Sequence, residues 1–438
     1  MSRQTKPRGW TLNSETRGRS ARHLLVSAIM FALVLPAAEA AETNNYSEKV
    51  LYSFGYGDTY LPQGPLLRDD QGNLYGTSEG GYYNQGAVFE LDATNTLTVL
   101  YSFTGTDGDG AEPYGPLARD AAGNLYGTTL DGGAGCELCG TVFKLAPPVS
   151  PSTTWTETVL YSFTGTAGDG KQPEGGVVLG SGGNLYGTTF IGGTYGLGTV
   201  FKVDKTRHET VLYSFTASNG DGAGPTSGLI RDAEGNLYGT TVGGGNCFAG
   251  GTCYGTVFMV DAKGNETVLY AFTGTDGDGL WPVAGVVRDE QGNLYGTTPD
   301  GGDFTCNPYP TPPSFGCGIV FKLDSTGQET VLHTFTGIGG DGEAPIGGLV
   351  RDDRGNLYGT TVWGGDLMSN GGSGYGTAFE VAATGKEATL HSFTGTPTGD
   401  GAAPFAALVK GPNGSLYGTT IDGGAVGLGT VFELPPRW

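Results

Sequence analysis

Gly348-Leu-Val-Arg-Asp352 and Asn356-Leu-Tyr-Gly-Thr-Thr361 are joined by Asp353-Arg354-Gly355, and Gly376-Thr-Ala-Phe-Glu-Val381 and Ala388-Thr-Leu-His-Ser-Phe393 are joined through Gly385. Each pair reads as a β-hairpin: two short runs rich in β-branched and aromatic residues, with a glycine in the turn where positive φ is needed. No stretch has a 3.6-residue apolar period long enough to compete. The segment therefore codes for four antiparallel strands, a, b, c and d.

The same pattern recurs seven times. The tyrosine of strand b falls at Tyr75, Tyr126, Tyr186, Tyr238, Tyr295, Tyr358 and Tyr417, a mean spacing of 57 residues. Propeller blades repeat every ~40 to 50 residues before long loops are added. A lone four-stranded sheet leaves its apolar faces in water, so the units must stack on one another, and radial stacking also shelters their edges. Strand c carries Phe89, Phe143, Phe201, Phe258, Phe321, Phe379 and Phe432, and strand d carries Phe54, Phe103, Phe163, Phe215, Phe272, Phe335 and Phe393. Such fixed positions mark packing residues. The expected fold is all-β: a seven-bladed β-propeller of four-stranded antiparallel blades over residues 41–438. Its ends predict closure. Lys49-Val-Leu-Tyr-Ser-Phe54 is a strand d with no a, b or c before it, and the last repeat stops after strand c at Leu434. The first strand should complete the seventh blade.

The Asn-Leu-Tyr-Gly-Thr-Thr, Gly-Thr-Val-Phe and Val-Leu-Tyr-Ser-Phe elements resemble the GloVer tandem repeat of exported bacterial proteins, from residue 49 to residue 434. The resemblance implies an extracellular or envelope location and brings no established activity. Members often carry a C-terminal sorting anchor; the Phe432 to Trp438 segment has no hydrophobic tail, so attachment by that route is not expected.

Residues 1–40 read as a signal peptide. Arg17, Arg19 and Arg22 precede an apolar run from Leu24 to Leu35, and Ala38-Glu39-Ala40 offers small residues for cleavage. The run is shorter than the ~20 residues of a membrane span. The whole chain carries a net charge of -21, and without the signal 17 basic residues face 42 acidic ones, a net of -25. That surface repels nucleic acid and anionic lipid. Cysteines come as three local pairs, Cys136 with Cys139, Cys247 with Cys253 and Cys306 with Cys317, each within one b-to-c loop. Short disulfides in an oxidising compartment are expected, and a soluble monomer secreted, periplasmic or at the cell surface.

Loop length points to a binding face. In an up-and-down sheet the d-to-a and b-to-c loops share one end, and the b-to-c loops vary most in length and hold all three cysteine pairs. They display Tyr82, Tyr83, Tyr195, Phe248, Tyr254, Tyr309, Phe315 and Trp363. Of these Tyr82, Tyr83, Tyr195, Tyr254 and Trp363, with Trp281, are the candidate ligand contacts; packing of a loop against itself is the competing reading. The ligand expected is an unidentified extracellular glycan or protein.

The d-to-a loop carries a Gly-Asp followed four residues after the Asp by Pro in every copy. Invariance within one molecule argues for a structural turn. Calcium is the alternative at Asp107, Asp109, Asp276 and Asp278, although no third acid follows at EF-hand spacing. His333 and His391 occupy the strand-d position filled by tyrosine elsewhere and read as aromatic substitutes. Arg68, Arg119, Arg231, Arg288, Arg351 and Lys410 end strand a, where ion pairs are expected. No catalytic residue is assigned: no nucleophile has an evident base, and the alternative to a binding module is a secreted hydrolase or lyase acting on polysaccharide or lactone with carboxylates or a bound cation in the central funnel.

Overall fold

The computed structural model describes residues 47–57, 59–136, 138–247, 253–306, 315–368, 372–395 and 399–436. The expected signal segment lies outside the described residues, as do Asp58, Phe248 and Tyr309. Seven four-stranded antiparallel sheets form a ring, a seven-bladed β-propeller. In blade 6, strand a (Val350–Arg351) pairs with b (Leu357–Thr361), b with c (Thr377–Val381), and c with d (Glu387–Ser392). Blade 7 takes a, b and c from Val409–Lys410, Leu416–Thr420 and Thr430–Leu434. Its strand d is Lys49–Ser53, with Val50 opposite Phe432, so the first strand closes the ring.

Strand a is shorter than its sequence run suggests, two residues in six blades and three in blade 3. Crowding at the axis explains this. A Cβ on Gly175 would lie 2.2 Å from the Ser227 carbonyl oxygen of the next blade, so backbone meets backbone there and the ladder cannot extend inward.

The phenylalanines cement the junctions. Phe103 of blade 1 meets Phe143 of blade 2 edge-on with centroids 5.1 Å apart, and the matching pair recurs at all seven junctions, including Phe54 with Phe89 across the closure. All are essentially buried. Such pairs contribute about 0.5–1.5 kcal/mol each beyond the area they bury. The first threonine of Thr-Thr also crosses junctions: Thr240 donates to the Ala284 carbonyl at 2.8 Å and Thr360 to that of Ala406 at 3.1 Å. The second pairs with strand c, as Thr129 with Thr141 at 2.9 Å.

The strand-a arginines do not pair with the aspartate that follows them. Arg68, Arg119, Arg231, Arg288 and Arg351 lie over the strand-b tyrosine of the preceding blade, 5.4 to 5.9 Å from the ring centre. The neighbouring aspartate closes the a-to-b turn instead. Asp120 accepts the N–H of Asn124, its side-chain amide and the Tyr126 hydroxyl.

The glycine of Leu-Tyr-Gly has a packing task. A Cβ on Gly127 would sit 2.6 Å from Cζ of buried Phe143. Gly127→Ala is expected to cost about 1–3 kcal/mol through overpacking, a fall of a few degrees in thermal unfolding. An unchanged melting temperature would mean that the Phe143 ring moves aside freely.

The d-to-a and b-to-c loops share one face and hold each other there. Two-residue ladders join them in blades 2 to 7, for example Gly110–Ala111 with Asp131–Gly132. Three disulfides staple the b-to-c loops, Cys136–Cys139, Cys247–Cys253 and Cys306–Cys317, which fits an oxidising compartment. Among the described residues no helix is long and apolar enough to cross a membrane.

Candidate functional site

Each d-to-a loop turns into strand a through its proline, and the residue before that proline is held firmly. Leu61, Glu112, Gln172, Gly224, Trp281, Ala344 and Ala403 all adopt left-handed φ between 50° and 65°. Hydrogen bonds on both sides fix that conformation. Glu112 donates its N–H to the Gln85 carbonyl of the preceding blade at 2.9 Å, and its own carbonyl accepts from Leu130 at 2.9 Å. Ala344 repeats this with Cys317 and Val362.

The aspartate of the loop completes the frame. Asp109 Oδ2 accepts the Thr104 N–H at 2.7 Å, its hydroxyl at 2.9 Å and the Tyr101 hydroxyl at 3.1 Å, while Oδ1 accepts the Gly110 N–H. Asp278 does the same with Thr273, Tyr270 and Gly279. Asp107 and Asp276 occupy left-handed turn positions beside them. These four aspartates are turn residues here. Among the described residues none of them gathers with two further metal-ligand groups.

What the frame presents is the residue after the proline. Gln63, Tyr114, Glu174, Thr226, Val283, Ile346 and Phe405, one from each blade, line a single axial channel of about 730 Å³. The ring is two-sided. Blades 1 to 4 contribute an amide, a phenol, a carboxyl and a hydroxyl; blades 5 to 7 contribute three apolar side chains. Asp300, Glu343 and Trp363 from the loops of blades 5 and 6 line the same channel.

Burial sets the protonation of its acids. It pushes Glu174 up to about 7 and Asp300 up to about 6. Glu343 rises to about 7, first through burial and then through the charge of Asp300. Such carboxyls donate or accept hydrogen bonds near neutral pH. Gln63 donates to Glu79 at 2.8 Å and Tyr114 to Glu112 at 3.2 Å, so the polar half is already oriented. The channel can thus grip hydroxyl and amide groups on one side and an apolar face on the other.

The residues singled out from sequence separate into three groups. Tyr82 and Tyr83 form an edge-on pair with centroids 4.9 Å apart, and with Tyr195 they stand exposed on the loops. Trp363 lines the channel. Tyr254 is buried in the core with Val257 and Phe272, and Trp281 stacks against Phe315 at 5.2 Å while its indole N–H donates to the Cys253 carbonyl at 2.9 Å. Sequence reading passed over the ring of seven because its loop looked uniform. The signal was there: the position after an invariant proline holds seven different residues.

A family model for the Gloeobacter/Verrucomicrobia repeat matches residues 39–168, 109–307 and 311–437. No curated protein matches the chain. Among solved structures the chain is similar to a virginiamycin B lyase from Staphylococcus aureus, with a TM-score of 0.51 and 10% identity over 89% of this chain and 99% of that one. It is also similar to a gluconolactonase from Xanthomonas campestris, with a TM-score of 0.40 and 12% identity over 91% and 92% of the two chains. At such identity the lyase likeness concerns the fold alone.

Proposed function

Because the chain belongs to the Gloeobacter/Verrucomicrobia repeat family and its blades differ most where they meet the axis, we propose that it is an exported, non-catalytic binding module whose loop-rich face takes an extracellular ligand into the channel. The observation that carries this reading is the ring of seven unlike side chains on seven like loops. A structural task would repeat its residue in each blade, as the aspartate and proline do. The two-sided lining suits a glycan, whose hydroxyls face Gln63, Tyr114 and Glu174 while a ring face rests on Phe405 and Trp363. Tyr82, Tyr83 and Tyr195 extend the surface outward. The disulfides and acidic surface suit a secreted, periplasmic or surface location.

The test is a glycan array followed by calorimetry on any oligosaccharide that binds. Tyr114→Ala and Phe405→Ala are each expected to weaken binding about 10-fold, the loss usual for a central contact. Equal affinity in both variants would move the site off the channel.

One observation favours a second reading. Asp300 and Glu343 interact electrostatically in the channel and sit near 6 and 7, where a carboxyl exchanges protons readily. An enzyme acting on polysaccharide or lactone would use such a pair. Turnover of an array-identified ligand that is abolished by Asp300→Asn or Glu343→Gln would establish catalysis over binding.

A further inference from the structure

At five blades the strand-d tyrosine position is occupied by tyrosine, whose hydroxyl anchors the loop aspartate at 3.0 to 3.1 Å in three of them. At His333 and His391 an imidazole takes its place. The rings keep the aromatic packing, edge-on to Phe335 and Phe393 at 4.7 and 4.8 Å. Their outer edge is chemically different. A tyrosine hydroxyl donates to the aspartate, whereas a neutral imidazole Nε2 offers a lone pair suited to a metal.

At the closure the consequence is a third donor. His391 Nε2 lies 3.4 Å from Asp400 Oδ1 and 3.9 Å from Glu48 Oε2. Asp400 Oδ2 is taken up by the Thr394 N–H and hydroxyl, as in the other loops, which leaves Oδ1 directed at the imidazole. Glu48 immediately precedes the closing strand. Its side chain is only 5% exposed, and its Oε1 is buried with no hydrogen-bond partner. The strand-d glutamate carries the same orphaned oxygen in blades 2 to 6, where a proton can meet it; at the closure and at Glu387 an imidazole adds a nitrogen donor beside it, so that a cation can take the place of the proton. Donor atoms around a tetrahedral ion with bonds of ~2.1 Å stand roughly 3.4 Å apart, close to the separations here. The trio borders a groove of about 1160 Å³, so a fourth position is open to solvent.

We infer that Glu48, His391 and Asp400 form a binding site for a first-row divalent cation of the zinc type, which clips the closing strand to the d-to-a loop of blade 6. One imidazole and two carboxylates favour zinc, cobalt or manganese over calcium, which takes oxygen donors alone. All six cysteines are in disulfides, so no thiolate competes. The preceding junction repeats the donor set with His333, Asp341 and Glu387. The site stands apart from the axial channel and does not depend on the function proposed for it.

Chelator-stripped protein titrated with cobalt chloride should develop visible d–d absorption, and zinc chloride in large excess over Kd should raise the melting temperature by about 2 to 4 °C. Glu48→Gln and His391→Tyr should each lose one equivalent of metal. The tyrosine variant restores the residue found at the matching place in five blades, so it should melt like the parent in chelator. Loss of one equivalent with that melting behaviour preserved supports the site. If parent and His391→Tyr take up the same number of equivalents and shift equally with zinc, the inference fails. If His391→Tyr unfolds, Glu48→Gln alone decides by the same count.

Discussion

Deleting residues 41–54 is expected to lower the melting temperature by at least 5 °C and to raise the oligomeric state above that of the parent. The deletion removes strand d of blade 7, and with it the Phe54 ring that packs edge-on to Phe89 across the closure. Truncating a buried phenylalanine costs about 3–5 kcal/mol by itself, which is about 5 °C in a chain of this size. The Thr430–Leu434 strand keeps Leu416–Thr420 but loses its outer partner and becomes an open edge next to a hydrophobic face. Open edges pair with other chains. Phe54→Ala separates the two effects: it should show the thermal loss with the edge still covered, and so keep the oligomeric state of the parent. Differential scanning calorimetry with light scattering checks both. A deleted chain that melts like the parent and keeps its oligomeric state would mean that the ring is held without its first strand.

Closure was legible because the sequence has unmatched ends, a strand d with no blade and a blade with no strand d. Packing was legible for a similar reason. Phe89 or Phe393 recurs in register with its counterparts, and an apolar residue at a repeated place has little else to do than pack. Of the ion pairs expected at the strand-a arginines, the described residues hold one, Arg119 with Asp69 of the preceding blade at 3.9 Å, because neighbours along a strand point to opposite faces and the aspartate after each arginine turns away from it. Arg119 therefore reaches the Tyr75 ring of the preceding blade while Asp120 turns back to Asn124. His391 was rightly read as an aromatic substitute, but its approach to Glu48 follows only once the first strand is placed in blade 7, where Glu48 takes the position that Glu387 holds in blade 6. Tyr254 lies in a variable loop and Trp281 in the d-to-a loop beside it, but a disulfide-stapled loop is large enough to have a small core, and both rings serve it.

The repeat thus divides its residues by what must be the same and what may differ. Asp109, Pro113 and their equivalents build one backbone shape seven times, and that constancy lets Gln63, Tyr114 or Phe405 vary at no structural cost. On the function proposed, specificity sits on the most regular loop of the molecule. Rigid loops with unlike side chains also lose little conformational entropy on binding, which favours affinity.

The second large effect is on pH. At four junctions the glutamate that opens strand d lies beside the loop aspartate of the preceding blade: Glu157 near Asp109 and Tyr101, Glu209 near Asp169 and Tyr161, Glu266 near Asp221 and Tyr213, Glu329 near Asp278 and Tyr270. Burial, then the charge of the aspartate, pushes each glutamate up to about 7. Each also has one buried oxygen without a hydrogen-bond partner. A carboxyl whose pKa is higher in the folded state binds its proton more tightly there. Its contribution is therefore complete below the unfolded value near 4.5 and is lost as pH rises through 7. Solvent reaches these half-buried groups, so the discounted contribution is roughly 1 kcal/mol each. The four together predict a melting temperature about 5 °C higher at pH 5 than at pH 8. The turn aspartates set the lower limit. Burial works against their ionisation, but hydrogen bonds from Asn124 and Asn236 hold Asp120 and Asp232 below the usual carboxylate range, and that stability is lost as pH falls further. Stability should thus peak in mildly acidic solution. Replacing Glu157, Glu209, Glu266 and Glu329 together by glutamine should raise the melting temperature at pH 8 and leave it nearly unchanged at pH 5. A parent protein more stable at pH 8 than at pH 5 in chelator would show that these carboxylates are ionised and compensated in the fold.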